Sequence, residues 1–217
     1  MDLNSYLHFY RYRDHDDRDA TRKRSATDQR WTSYLGQAKP LFAQQSSSIF
    51  KPAAAIMERI GADPEPEAAA ERRRRLPMVE LRRYRLQAGY VGSRSTSGAQ
   101  SRFFTRFFTR CLARCLARSL PLPLPQDTVP KALAAFEAAL PAKIEAARSA
   151  GVDHEVEMLM YSDVGRLNEL VEVWRFERAS DTMRAREASR AVPVWRECIQ
   201  TLTGLTESFD SSFLYEC

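Results

Sequence analysis

The chain has 217 residues, of which 44% are hydrophobic and 10% are aromatic, and this is enough apolar material for one or two small domains. No apolar run approaches the roughly 18 residues of a transmembrane helix, so a spanning helix is excluded. The formal net charge is +5, but residues 91–126 contain six Arg and no acid. The rest of the chain is close to neutral, and it offers no basic motif for nucleic acid.

Two segments of the chain repeat one another. Residues 3–52 match residues 167–216 without a gap, and the identities include Trp31 with Trp195 and Ser47 with Ser211. A chance match between low-complexity segments would not keep these residues at a fixed spacing. The match therefore predicts one structural unit that is present twice.

The later copy has the pattern of a β-α-β unit. The segment LNELVEVWRF alternates as a strand, with Leu167, Val171 and Val173 on one face. The other face carries a mixture of polar and aromatic residues, namely Asn168, Leu170, Glu172, Trp174 and Phe176. A helix follows with Trp195, Ile199 and Leu202 on one stripe, and SSFLY closes the unit as a second strand.

A second β-α-β pattern precedes this copy. Residues 78–86 form a predicted strand, and a proline at Pro130 marks the first turn of a helix. The apolar face of that helix consists of Leu133, Phe136, Leu140 and Ile144. Pro141 predicts a kink because it removes one backbone donor. A further strand contains Val156, Met158 and Met160, so the two units together give an α+β, ferredoxin-like order.

The early copy lacks these upstream elements, which predicts that the chain begins inside a module. Residues 1–52 are then the C-terminal half of one module, residues 53–77 a solvated linker, and residues 78–217 a complete module. A low-complexity insert at residues 91–126 interrupts the complete module. Its Arg residues at every fourth position permit a basic amphipathic helix that contacts an anionic membrane peripherally. The alternative is that the insert is a translated intron.

Four motifs in this order resemble the NIPSNAP family. They are VELRRYRL, LPAK, GRLNELVEVWRFE, and the segment from Trp195 to SSF. The resemblance implies a fold of the dimeric α/β barrel type, in which two ferredoxin-like sheets face each other. It also implies association with mitochondria, protein partners in organelle quality control or vesicle traffic, and no established catalytic residues. A homodimer or an intramolecular pseudo-dimer is expected.

Polar and aromatic residues on two predicted strands are the candidate site. If their faces point into the space between two sheets, they line a cavity that could bind a ligand. These residues are Glu80, Arg82, Tyr84, Asn168, Glu172, Trp174 and Phe176. The alternative is an internal set of ion pairs, such as Glu80 with Arg82, because buried charges need partners.

A non-catalytic adaptor is the leading functional hypothesis, and no metal or cofactor is expected because no such motif is present. The alternative is a small oxidoreductase or monooxygenase that uses the barrel cavity. In a pseudo-dimer, the aromatic face of the early strand, Tyr6, His8, Tyr10 and Tyr12, is expected to seek the matching face of the later strand, Leu170, Glu172, Trp174 and Phe176. The half module alone is predicted to be too small to fold.

Overall fold

The computed structural model describes residues 7–62, 71, 73–87 and 128–215. The chain divides into two compact units, Met1–Ser48 and Ile49–Cys217. This division falls four residues before the predicted end of the half module at residue 52. The last strand of the early copy therefore belongs to the sheet of the second unit.

The described part of the first unit is helical. Helix α1 spans His15–Thr27, helix α2 spans Gln29–Ala38, and a 3-10 turn follows at Lys39–Leu41. The carboxylate of Asp28 accepts hydrogen bonds from the backbone N–H groups of the first turn of α2 and so starts a new helix directly after α1.

The predicted first strand of the early copy is wrong for residues 7–12, which form no strand. A strand needs a neighbouring strand to pair its backbone groups, and the described residues of this unit provide none. Tyr6 lies outside the described residues, while the side chain of Tyr10 is 60% exposed. The unit thus retains its helices, which satisfy their own backbone hydrogen bonds.

The second unit is a five-stranded antiparallel sheet with helices packed on it. Its strands are β1 (Ile49–Pro52), β2 (Met78–Leu86), β3 (His154–Val164), β4 (Glu169–Phe176) and β5 (Thr206–Tyr215). Its helices are α3 (Ala54–Arg59), α4 (Thr128–Ser149), α5 (Ala179–Arg190) and α6 (Pro193–Leu205). The strand order is β1-β3-β4-β2-β5. The α+β class is confirmed, and the order β3-β4-β2-β5 fits a ferredoxin-like sheet.

Alternation along β2 and β4 separates two apolar clusters. Tyr84, Leu170 and Trp174 join the main core together with Phe136 of α4 and Trp195 of α6. The smaller cluster lies on the opposite face of the sheet and consists of Val79, Leu81, Met160, Val171 and Val173. The faces assigned from the sequence by the period of two are thus those that the strands present.

The residues predicted as a linker contribute to the core. Helix α3 lies within the segment 53–77, and Ile56 and Leu76 are both buried. These apolar side chains stand among the Pro, Glu and Arg residues that indicated a solvated segment. Helix α4 runs through Pro141 without interruption. The predicted insert at residues 91–126 lies outside the described residues.

Candidate functional site

The polar face of β2 and β4 lies beneath the helices, and this corrects the prediction that it faces a second sheet. Its side chains contact Lys143 of α4 and Arg186 of α5. Six of the seven predicted residues lie together here and are buried, namely Glu80, Arg82, Tyr84, Glu172, Trp174 and Phe176. Within the second unit, α4, α5 and α6 cover this face. The expected homodimer or pseudo-dimer itself stays a prediction.

Asn168 is the exception among the predicted residues. It precedes β4 in a left-handed conformation with φ of 61°, which Asn tolerates better than most residues. Its carbonyl oxygen accepts a hydrogen bond from the backbone N–H of Leu86 at 2.7 Å. It thus extends the pairing of β2 with β4 by one residue beyond Arg85 and Glu169.

Glu80 is held by donors from three elements. Arg82 lies two residues away on the same face of β2, and its Nε and Nη2 donate to the two carboxylate oxygens at 2.9 and 2.8 Å. Ser211 Oγ donates at 2.8 Å, and Arg186 of α5 also pairs with this carboxylate. Although burial raises the pKa of Glu80, these donors outweigh it and lower the pKa to about 2.

Glu172 is the second buried carboxylate. Tyr84 Oη and Trp174 Nε1 each donate to it at 2.5 Å, and Lys143 Nζ lies 3.3 Å from Oε2. Burial raises its pKa, but the charges of Lys143 and Arg82 outweigh burial, so the pKa of Glu172 lies below its usual value. Every oxygen of this carboxylate thus has a hydrogen-bond donor, which a buried charge requires.

Lys143 enters this network between two indole rings. Its Nζ lies 3.9 Å from the ring centre of Trp174 and 4.0 Å from that of Trp195, in cation–π geometry. Glu80 and Glu172 are already balanced by the guanidinium groups of Arg82 and Arg186. The protonated amine is therefore a surplus positive charge, and burial, reinforced by Arg82, lowers the pKa of Lys143 to about 7.

Replacing Lys143 by Met should change how stability depends on pH. The folded pKa lies below that of an unfolded lysine, so above about pH 7 the unfolded state binds more protons and stability rises with pH. The slope is at most about 1.4 kcal/mol per pH unit. Urea unfolding of both proteins at pH 6, 7.5 and 9 should show that the free energy of unfolding of the parent rises relative to that of the variant as the pH increases. If the difference between the two free energies of unfolding is the same at all three pH values, the pKa of Lys143 is not lowered.

The free space beside the network is small. A cavity of about 10 Å³ is lined by residues that include Arg82, Lys143 and His154, and it has room for about one water molecule. The ring of His154 stacks on Trp174 at 5.7 Å, and its Nδ1 donates to the carbonyl oxygen of Val152 at 3.0 Å. Its Nε2 is buried without a hydrogen-bond partner among the described residues. One water molecule in this cavity could supply that hydrogen bond.

Sequence reasoning missed three members of the network, namely Lys143, Arg186 and Ser211. Signals for each of them were present. Lys143 ends the LPAK motif, while Arg186 and Ser211 are identical to Arg22 and Ser47 in the early copy. A residue kept in both copies can serve a buried contact that local periodicity does not reveal.

None of the helices formed by residues 7–62, 73–87 and 128–215 is long and apolar enough to cross a membrane. Within these same ranges, no group of three or more His, Cys, Asp or Glu side chains is arranged to hold a metal ion.

The chain is similar in structure to several bacterial proteins. An Agrobacterium tumefaciens NIPSNAP family protein with unknown function is 17% identical, covers 66% of this chain and 90% of its own, and has a TM-score of 0.40. A NIPSNAP-like domain protein from Burkholderia xenovorans is 18% identical, with 64% and 84% covered and a TM-score of 0.40. A second A. tumefaciens NIPSNAP family protein is 16% identical, with 64% and 85% covered and a TM-score of 0.40.

No curated protein sequence matches the chain at a significant level. The family model described as NIPSNAP matches residues 2–56 and 127–217. These two matched ranges lie on either side of the predicted insert and together include more than half of the chain. The chain therefore belongs to the NIPSNAP family.

Proposed function

We propose that this chain is a non-catalytic binding protein of the adaptor type that acts through protein partners at mitochondria. The location at mitochondria rests on the family resemblance. The proposed role in organelle quality control or vesicle traffic has the same basis. Its surfaces, rather than an internal pocket, would make the functional contacts.

The observation that supports this proposal is the filled polar face of the sheet. A barrel-cavity oxidoreductase needs space for a substrate beside its polar groups, and small-molecule sites commonly have volumes of about 300–1,000 Å³. Here the donors of Arg82, Tyr84 and Lys143 are engaged by the carboxylates, and the adjoining cavity has room for about one water molecule. A substrate would have to displace these charged pairs, which costs free energy.

The test compares ligand binding with partner binding in the full chain. Flavin mononucleotide, NADPH and haem are titrated into the protein while tryptophan fluorescence is followed, because Trp174 and Trp195 flank the network. We expect no saturable change in tryptophan fluorescence and no oxygen-dependent turnover of the added cofactors. Saturable binding followed by turnover would contradict the proposal.

The matched variant is Tyr84→Phe, which removes one hydroxyl from the network and keeps the ring. The chain and this variant are each cross-linked within isolated mitochondria, and the captured proteins are compared by mass spectrometry. An adaptor should retain the same reproducible partners in both proteins. Absence of a reproducible partner in the parent, or its loss in a folded Tyr84→Phe variant, would argue against surface-mediated binding.

A further inference from the structure

The described part of the first unit carries aromatic and basic side chains at its surface and contains no sheet. The rings of Trp31 and Tyr34 stack on each other along α2, and Tyr34 is 48% exposed. Arg22 of α1 and Ser47 are exposed as well. The described residues 7–48 form no strand on which these side chains could pack. Since an apolar helix face normally packs against another layer of structure, this surface has the character of an interface.

Three residues that are identical in both copies have later counterparts that contact β2 and α4. Arg186 and Ser211 each pair with the carboxylate of Glu80 on β2. Trp195 packs against Phe136 of α4, with 6.3 Å between the ring centres. The early counterparts of these three residues are Arg22, Ser47 and Trp31. The first unit thus keeps the side chains that bind β2 and α4 in the second unit.

The first unit alone does not account for these identities. Many residue types form helices as well as Arg and Trp do, so α1 and α2 do not need these two side chains at these positions. Within the described residues, the side chains of Arg22 and Ser47 form no hydrogen bond or ion pair. A guanidinium, a hydroxyl and an indole bind a glutamate and an apolar helix in the second unit. The same groups at the same spacing favour the same kind of ligand here.

We propose that the first unit binds a β-α-β segment of another polypeptide, and that the first strand of this segment carries a glutamate in the place of Glu80. Arg22 and Ser47 bind that carboxylate, and the indole of α2 packs on the helix of the segment. The first strand of the segment pairs with residues 7–12, which correspond to residues 171–176 of β4 and form no strand by themselves. The segment therefore supplies the sheet that residues 7–48 lack.

A second copy of this chain does not offer such a segment. In the second unit β2 already lies between β4 and β5. Glu80 is fully buried, and Arg82, Arg186 and Ser211 donate to its carboxylate. Removing these donors would leave a buried charge without partners, which costs free energy. The partner is therefore a different polypeptide whose β-α-β segment is not already covered.

The charge of the first unit is compatible with two kinds of acidic partner. Residues 29–48 contain Arg30 and Lys39 and no acid, so an anionic membrane surface would also match them in charge. A membrane does not require a hydroxyl and an indole at the spacing that Ser47 and Trp31 share with their later counterparts. The repeat therefore favours a glutamate on a protein strand, and membrane binding is an outcome that the test has to separate.

The test supplies such a segment to the full chain. Residues 76–87 and 127–164 of this chain, joined by a Gly-Ser connector, are fused ahead of residue 1 through a second connector, which gives an effective concentration in the millimolar range. Hydrogen exchange of residues 7–12, followed by mass spectrometry, should slow by roughly 10- to 100-fold relative to the parent chain, because their backbone N–H groups gain a strand partner. Unchanged exchange would overturn the proposal.

Variants of the carboxylate and its donor test whether the pairing is specific. Glu80→Gln in the added segment alone, and Arg22→Gln in the first unit, should each remove most of the gained protection. Arg186→Gln is the matched control, because it removes the equivalent donor from the second unit only. It should leave the exchange of residues 7–12 as slow as in the unmutated fusion. Protection that survives both of the first two variants, or that Arg186→Gln removes equally, would contradict the proposed contact.

Vesicles of phosphatidylcholine and phosphatidylserine separate the membrane from the protein partner. If the parent chain sediments with these vesicles, and the fusion gains no protection at residues 7–12, the surface is a membrane contact and the proposal is wrong. The inference rests on the proposed function in one respect, since it names a class of protein partner for the adaptor. The exchange experiment reads only the structure of the first unit, so its failure leaves the cross-linking result of the proposed function unchanged.

Discussion

Replacing Glu172 by Ala is expected to lower the free energy of unfolding by about 3–5 kcal/mol, because it leaves buried charges without their counter-charge. Lys143 lies 3.3 Å and Arg82 lies 3.9 Å from this carboxylate, and both side chains are buried. Tyr84 and Trp174 also lose the acceptor for their hydrogen bonds. Urea unfolding at pH 6, where Lys143 is mostly protonated, measures the loss.

The surface pair formed by Arg59 and Glu137 provides the control. Its two side chains approach to 3.2 Å but remain largely exposed, so Glu137→Ala should have little effect. The cost of Glu172→Ala should also shrink at pH 9, where loss of the proton from Lys143 removes one of the stranded charges. Equal stabilities of the two Ala variants would show that the buried network does not stabilise the fold.

The members of the candidate site that lie on β2 and β4 could be predicted because strand periodicity is local. Glu80, Arg82 and Tyr84 are two residues apart, and an extended backbone places such residues on one face. The ion pair between Glu80 and Arg82, weighed as the alternative to a ligand cavity, is present. The layer that covers this face could not be predicted, since alternation assigns a residue to a face and does not identify what packs on that face.

The early copy keeps its helices but not its first strand, and each copy has two helices where the sequence predicted one. Helices α1 and α2 begin at His15 and Gln29, and their counterparts α5 and α6 begin at Ala179 and Pro193, in each case 164 residues later. A helix forms its hydrogen bonds within one segment, so the same sequence pattern gives the same element in both places. A strand depends on neighbours elsewhere in the chain. The arrangement of a partial and a complete module stays a prediction.

Replacing Trp195 by Ala should lower the free energy of unfolding by about 3–5 kcal/mol. Its side chain is buried, packs against Phe136 at 6.3 Å between ring centres, and covers the amine of Lys143 at 4.0 Å. The substitution therefore removes apolar packing and also one of the two rings that surround a buried amine. Chemical denaturation followed by circular dichroism measures the loss without relying on the deleted fluorophore.

The chain contains its own matched control for this substitution. Trp31 occupies the equivalent position in the early copy, but it is only half-buried and its ring stacks on Tyr34, whose side chain is exposed. Because Trp31→Ala deletes the same side chain from a helix without an equally buried environment, it should cost much less than Trp195→Ala. Comparable losses would show that Trp31 is as strongly packed as Trp195. A parent-like Trp195→Ala variant would instead show that its burial does not stabilise the second unit.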